Sequence, residues 1–103
     1  GTISNGILFF NAPLNTITLG NTTFNVDLNI NADRILLNGG VYNNPCVFNQ
    51  AGTTNANGTG NAQFNSTLDF TLSGSGYFRT NGNIVFQNDV TITNNVVCIA
   101  YCL

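Results

Sequence analysis

From Thr22 to Ile30 the chain alternates strictly: Phe24, Val26, Leu28 and Ile30 are apolar, and Asn25, Asp27 and Asn29 between them are polar. A two-residue period of this kind marks a strand with one buried face. Residues 62–72 repeat it with Phe64, Leu68, Phe70 and Leu72. Further short β-prone segments lie at 35–37, 41–42, 46–48, 77–80, 84–87, 90–93 and 96–103, separated by turn residues such as Asn38-Gly39-Gly40 and Ser73-Gly74-Ser75-Gly76. Asn81-Gly82-Asn83, flanked by apolar runs, reads as a hairpin turn. Residues 49–61 read as a polar loop. Strands at this spacing predict an all-β domain of sandwich, Greek-key or jelly-roll type. No fixed-period repeat is visible, which weighs against a β-helix or solenoid.

Composition excludes much else. Only 6% of the 103 residues are charged: Asp27, Asp33, Asp69, Asp89, Arg34 and Arg79. Lys, Glu, His, Met and Trp are absent, and 20 residues are Asn. Two arginines make no basic patch for nucleic acid. Helix-favouring Lys, Glu and Met are missing, so a helix bundle is a poor solution. No apolar run approaches the roughly 20 residues of a membrane-spanning helix. The hydrophobic share of 43%, with eight Phe, is enough to build a core.

Catalytic and metal chemistry find no players. A general base would have to be one of four Asp, and no Cys has a His to activate it. Cys46, Cys98 and Cys102 lack zinc spacing. The row Asn25, Asp27, Asn29, Asn31 and Asp33 offers oxygen ligands for calcium, but a strand spreads alternate side chains about 7 Å apart, too far to converge. Thr-x-Thr at 16–18 and 91–93 is reminiscent of ice-binding surfaces, yet two ranks make no array. No cofactor is expected, and the chain does not read as an enzyme.

Other features point outside the cell. The chain begins with Gly1, as a mature product would after leader removal. One disulfide is expected, from Cys46 to either Cys98 or Cys102, with the third thiol left free. If the C-terminal segment is a strand, Cys98 and Cys102 sit on one face about 13 Å apart and cannot pair with each other. Three N-glycosylation sequons begin at Asn21, Asn57 and Asn65. Four Asn-Gly pairs (5–6, 38–39, 57–58, 81–82) deamidate readily at neutral and basic pH and far more slowly in mild acid. Tolerating them fits an acidic exterior.

The N-terminal segment carries the most functional information. In residues 1–10, Ile3, Ile7 and Phe9 read as one apolar face, with Leu8 and Phe10 on the other. Pro13 then interrupts pairing, because it lacks an N–H. This divides the chain into a strand and linker, 1–13, and a domain, 14–103. Such a strand can pair within its own domain or fill the groove of a neighbour. In a neighbour it would bury three to five large side chains, about 5–15 kcal/mol before entropy costs.

A nearly chargeless, Asn/Thr-rich β domain with sequons and a separate apolar N-terminal strand resembles the subunits of archaeal surface filaments. It is similar in particular to the glycosylated extracellular threads of thermoacidophilic Sulfolobales. The resemblance implies an Ig-like β-sandwich whose detached N-terminal donor strand (residues 2–10, linker 11–13) inserts into the adjacent subunit. The result is a head-to-tail homopolymer on the cell surface with N-glycans on Asn21, Asn57 and Asn65. Two other readings stand beside it. One is a virion or phage surface protein, such as a jelly-roll capsid or spike. The other is a carbohydrate-binding or adhesin domain, for which Tyr42, Tyr77 and Tyr101 are the only amphipathic aromatics.

With no His or Glu and four Asp, few groups titrate below neutrality, so acid unfolding has little to act on. The melting temperature is expected to stay nearly flat from pH 6 to pH 3. A steep fall over that range in thermal melts would contradict this.

Overall fold

The computed structural model describes residues 1–53, 56–58, 60–76, 78–80 and 82–94. Its strands are β1 (Thr2–Leu19), β2 (Thr23–Leu37), β3 (Val41–Tyr42), β4 (Cys46–Gln50), β5 (Ala56–Gly58), β6 (Ala62–Phe64), β7 (Leu68–Leu72), β8 (Phe78–Thr80), β9 (Ile84–Phe86) and β10 (Val90–Asn94). Every pairing between them is parallel. The fold is therefore all-β, as expected, but it is a parallel β-solenoid. The expected Ig-like, Greek-key or jelly-roll sandwich requires antiparallel neighbours, and none occurs among the described strands.

The main sheet runs β10-β7-β4-β2-β3-β6-β9, with β1 laid on β2, and β5 and β8 form a separate pair. Long strand β2 bends around the solenoid, so its start pairs with β3 and its middle with β4. Thr2 lies opposite Thr23, Thr23 opposite Val41, and Val41 opposite Gln63, giving successive coils of 21, 18 and 22 residues. Unequal coils explain why no repeat is visible in the sequence.

Three further expectations change. The Asn81-Gly82 turn does not join a hairpin: β8 pairs with β5 and β9 with β6, each one coil away. Residues 49–61 are not simply a loop, since β4 reaches Gln50 and β5 lies at Ala56–Gly58. The N-terminal strand is not detached: β1 runs through Pro13 as one strand and pairs with β2 of its own chain, across the expected boundary between residues 13 and 14. The surplus residues of the first coil are absorbed inside β1, where the register jumps between Ser4 and Ile7 and again between Ala12 and Thr16. Pro13 falls in the second irregularity, where a missing N–H costs no ladder bond.

The first irregularity alters strand parity. Asn5 and Gly6 both have positive φ, 73° and 98°. As a result Ile3 lies opposite buried Phe24, whereas Ile7 lies opposite outward Asp27. Ile3 and Ile7, assigned to one face by their even spacing, belong to different faces. The expected strand at 96–103, with Cys98, Tyr101 and Cys102, lies outside the described residues, as does Tyr77.

Inward side chains stack coil upon coil. Leu28, Cys46 and Leu68 form one buried column, and Ile30, Phe48 and Phe70 another. A third is aromatic: Phe24–Tyr42–Phe64–Phe86, stacked at centroid separations of 5.0, 4.5 and 5.6 Å. Phe48 meets Phe64 and Phe70 edge-on, at 6.2 and 5.8 Å. Such pairs contribute about 0.5–1.5 kcal/mol each beyond area burial. The Tyr42 hydroxyl donates to the Gly39 carbonyl at 3.2 Å. Gln50 is buried in line with Ala32 and Leu72, and its Oε1 accepts from the Ile35 amide at 3.1 Å. Truncating Phe64 to Ala in the aromatic column is expected to cost about 3–5 kcal/mol. Gln50→Leu, which orphans the Ile35 amide, should cost about 1–3 kcal/mol. Denaturant titrations read both.

Two buried groups set the alkaline limit. The Cys46 thiol donates to the Asn44 carbonyl at 3.5 Å. Burial, helped by the charge of Asp27, pushes its pKa from 9.0 up to about 12. Burial, and then Cys46, likewise raise that of Tyr42. Both raised values favour the neutral native form, so the stability is complete below the unfolded-state pKa values and declines as pH climbs past them. Thermal melts should therefore hold steady up to about pH 9, where free thiols begin to ionise, and drop beyond it. Cys46→Ala should move the onset upward, toward the phenol range. A melting temperature unchanged between pH 8 and pH 11 would refute the assignment.

Candidate functional site

The solenoid offers two features that carry chemistry, an end rung and a set of side-chain ladders. The end rung is β1. It pairs with β2 along one edge, and no described strand pairs with its other edge. Parallel strands normally sit between neighbours, so an 18-residue free edge is a long template for another strand. Of the residues assigned to the donor strand, Leu8 and Phe10 turn inward and pack partly buried on the core. Ile7 and Phe9 point outward and are 71% and 64% exposed, and Ile3 is 37% exposed above Phe24. Leu14, beside Pro13, is 89% exposed. At the opposite end Val85, Phe86 and Ile92 are also exposed, at 43%, 44% and 36%. Both ends of the described solenoid are thus apolar.

The ladders run along the outside. Asn11, Asn31 and Asn49 occupy successive coils and are joined amide to amide at 3.0 and 2.8 Å. Ser4, Asn25, Asn43 and Asn65 form a second ladder at 3.4, 2.7 and 2.7 Å. Asn44 donates to Asp27 at 3.3 Å, and the Arg34 Nε to the Thr16 hydroxyl at 3.3 Å. The polar row Asn25 to Asp33 therefore consists largely of steps in these ladders, each turned to the coil above or below. Sequence reasoning missed them. Their signal is Asn recurring at coil intervals, as in 11–31–49 and 25–43–65, which makes sense only once coil length is known.

The other expected site residues separate. Asn21 is exposed at the bend between β1 and β2, beside a shallow polar cleft of about 350 Å³ that Thr22, Thr23, Val41 and Gln63 also line. Asn65 is half-buried, and its Nδ2, the atom that would carry a glycan, donates to Asn43. Asn57 lies in β5, and its side chain is outside the described residues. Cys46 is a free, buried thiol, and its expected partners Cys98 and Cys102 lie outside the described residues. Thr16 and Thr18 stand opposite Arg34 and Leu36, whereas Thr91 and Thr93 stand opposite Asp69 and Thr71, so the two pairs do not merge into one array. Among the described residues no three His, Cys, Asp or Glu converge to hold a metal.

A second groove, of about 230 Å³, is floored by Phe9, Ile30 and Val47 and edged by Asn29, Asn31 and Asn49. It holds amides and hydrocarbon but no ionisable group, so it can bind by contact and hydrogen bonding without proton transfer. Searched against family models, curated proteins and solved structures, the chain finds no match in any of the three.

Proposed function

We propose that this chain is a structural subunit of an extracellular filament that grows by adding identical subunits head to tail. The observation that carries the reading is the free edge of β1, with apolar residues beside it and an apolar rung at the far end. Joining the ends would bury Ile3, Leu8 and Phe10 of one copy against Phe86, Val90 and Ile92 of the next, prolonging the same inward columns. This is strand addition, and a contact between unlike ends propagates as an open fibre. It replaces insertion of a detached donor strand with coil stacked on coil. The low charge supports it, since stacked copies meet little repulsion. Exterior residence is supported by the sequons, among which Asn21 is exposed, and by the scarcity of titratable groups.

Ile3→Lys puts a charge at the exposed end of a joining column, above Phe24, where the next copy would bury it. Electron microscopy and light scattering over a concentration series should find fibres for the parent chain and monomers for the variant. The variant's melting temperature as a monomer should be that of the parent. A parent chain that stays monomeric at high concentration across pH 3–7 would refute the filament reading.

A further inference from the structure

We propose that Asn5-Gly6 is a self-modifying site, at which the folded protein converts Asn5 to aspartate and isoaspartate while Asn38-Gly39 stays intact. Deamidation begins when the backbone nitrogen of the following residue attacks the Asn Cγ. A bond forms between that nitrogen and Cγ, the Cγ–Nδ2 bond breaks, and ammonia leaves. Water then opens the five-membered succinimide at either carbonyl, giving aspartate or its β-linked isomer. No oxidant or enzyme is needed, but the Gly amide must be unencumbered and the backbone must have room to cyclise.

The two pairs differ in exposure, in register and in the room left for the ring. Asn5 and Gly6 are exposed and lie in the jump from the Ser4–Asn25 to the Ile7–Asp27 pairing, so neither has a residue in register opposite. A carbon added at Gly6 would meet nothing within 4 Å. Both residues already adopt positive φ in a bulge, where an extra backbone methylene disturbs no further register. Asn38 is held by its own amide, which donates to the Leu19 carbonyl at 2.7 Å. Gly39 is buried, its carbonyl accepts from the Tyr42 hydroxyl, and a carbon added to it would overlap the Asn21 side chain. The reaction adds one negative charge to a chain whose net charge is −2. Its place is the end rung, so on the filament reading the new charge falls at the junction between subunits. The chemistry itself holds whether or not subunits polymerise.

Cleavage after Arg34 and Arg79 separates the sites, because fragment 1–34 contains Asn5-Gly6 as its sole Asn-Gly pair. The folded protein is aged at pH 8.5 and at pH 4, cleaved and read by mass spectrometry. The expected result is the amide-to-acid mass gain in fragment 1–34 at pH 8.5, split chromatographically into two isomers and placed at residue 5 by fragmentation. It should be at least tenfold slower at pH 4 and absent from Asn5→Ser. Asn38 should react only when the chain is aged in denaturant. Modification of Asn38 in the folded protein as fast as that of Asn5 would overturn the proposal. So would a residue 5 that stays amidated in the fold while the denatured chain reacts there.

Discussion

The parallel register between coils governs the whole molecule. Each inward side chain lies on its counterpart one coil away, so the core is a set of columns rather than two interleaved faces. A residue in a column packs mainly against two axial neighbours of similar shape. Flat rings suit this arrangement, and Phe24, Tyr42, Phe64 and Phe86 stack nearly parallel through four coils. The same register places amide over amide outside, where polar side chains satisfy one another instead of depending on charge. An almost chargeless surface is in this sense a product of the core geometry. Nearest-neighbour stabilisation of this kind also makes interior coils firmer than terminal ones, in line with the half-exposed Leu8, Phe10 and Phe86.

Strand character was legible wherever the sequence alternates, because parity is a local property; β5 at Ala56–Gly58 and the stretch of β1 through Pro13 lack that alternation and were missed. Phe24, Val26, Leu28 and Ile30, and then Phe64, Leu68, Phe70 and Leu72, are all buried. Pairing partners were not legible, because they depend on the length of chain between strands. Two coils of 22 residues follow one of 18, and the first coil hides its surplus inside β1. Asn81-Gly82 has the composition of a hairpin turn, but β9 satisfies its ladder with β6, one coil away, and a turn residue cannot announce which strand lies beside it. Even parity failed once, at Ile3 and Ile7, where two residues with positive φ shifted the count. The Asn ladders were invisible for the same reason as the repeat: with one residue in five an asparagine, a vertical alignment cannot be distinguished from abundance until the coils are superposed.

The ionisable groups divide by location. Carboxylates are few and lie toward the outside, and two described groups displaced by burial, Tyr42 and Cys46, interact in the interior and ionise only in base. A fold with this distribution loses little on acidification and is limited at the alkaline end. The Asn-Gly pairs share that bias, since succinimide formation is also a reaction of neutral and alkaline media. Independent features of the chain therefore favour the same range of conditions.

The ladders have one more property, their direction. In every amide-to-amide step the Nδ2 points to the coil earlier in the chain: Asn31 to Asn11, Asn49 to Asn31, Asn43 to Asn25 and Asn65 to Asn43. The side-chain dipoles consequently add along the solenoid axis instead of cancelling, and the molecule has an electrical arrow without having net charges to make one. In the Asn11–Asn31–Asn49 ladder the first coil presents amide hydrogens outward, and the last presents an oxygen. Two copies meeting by their like ends would set these arrows against each other, whereas unlike ends continue them. The arrow thus gives a chain with almost no formal charge a way to tell its two ends apart.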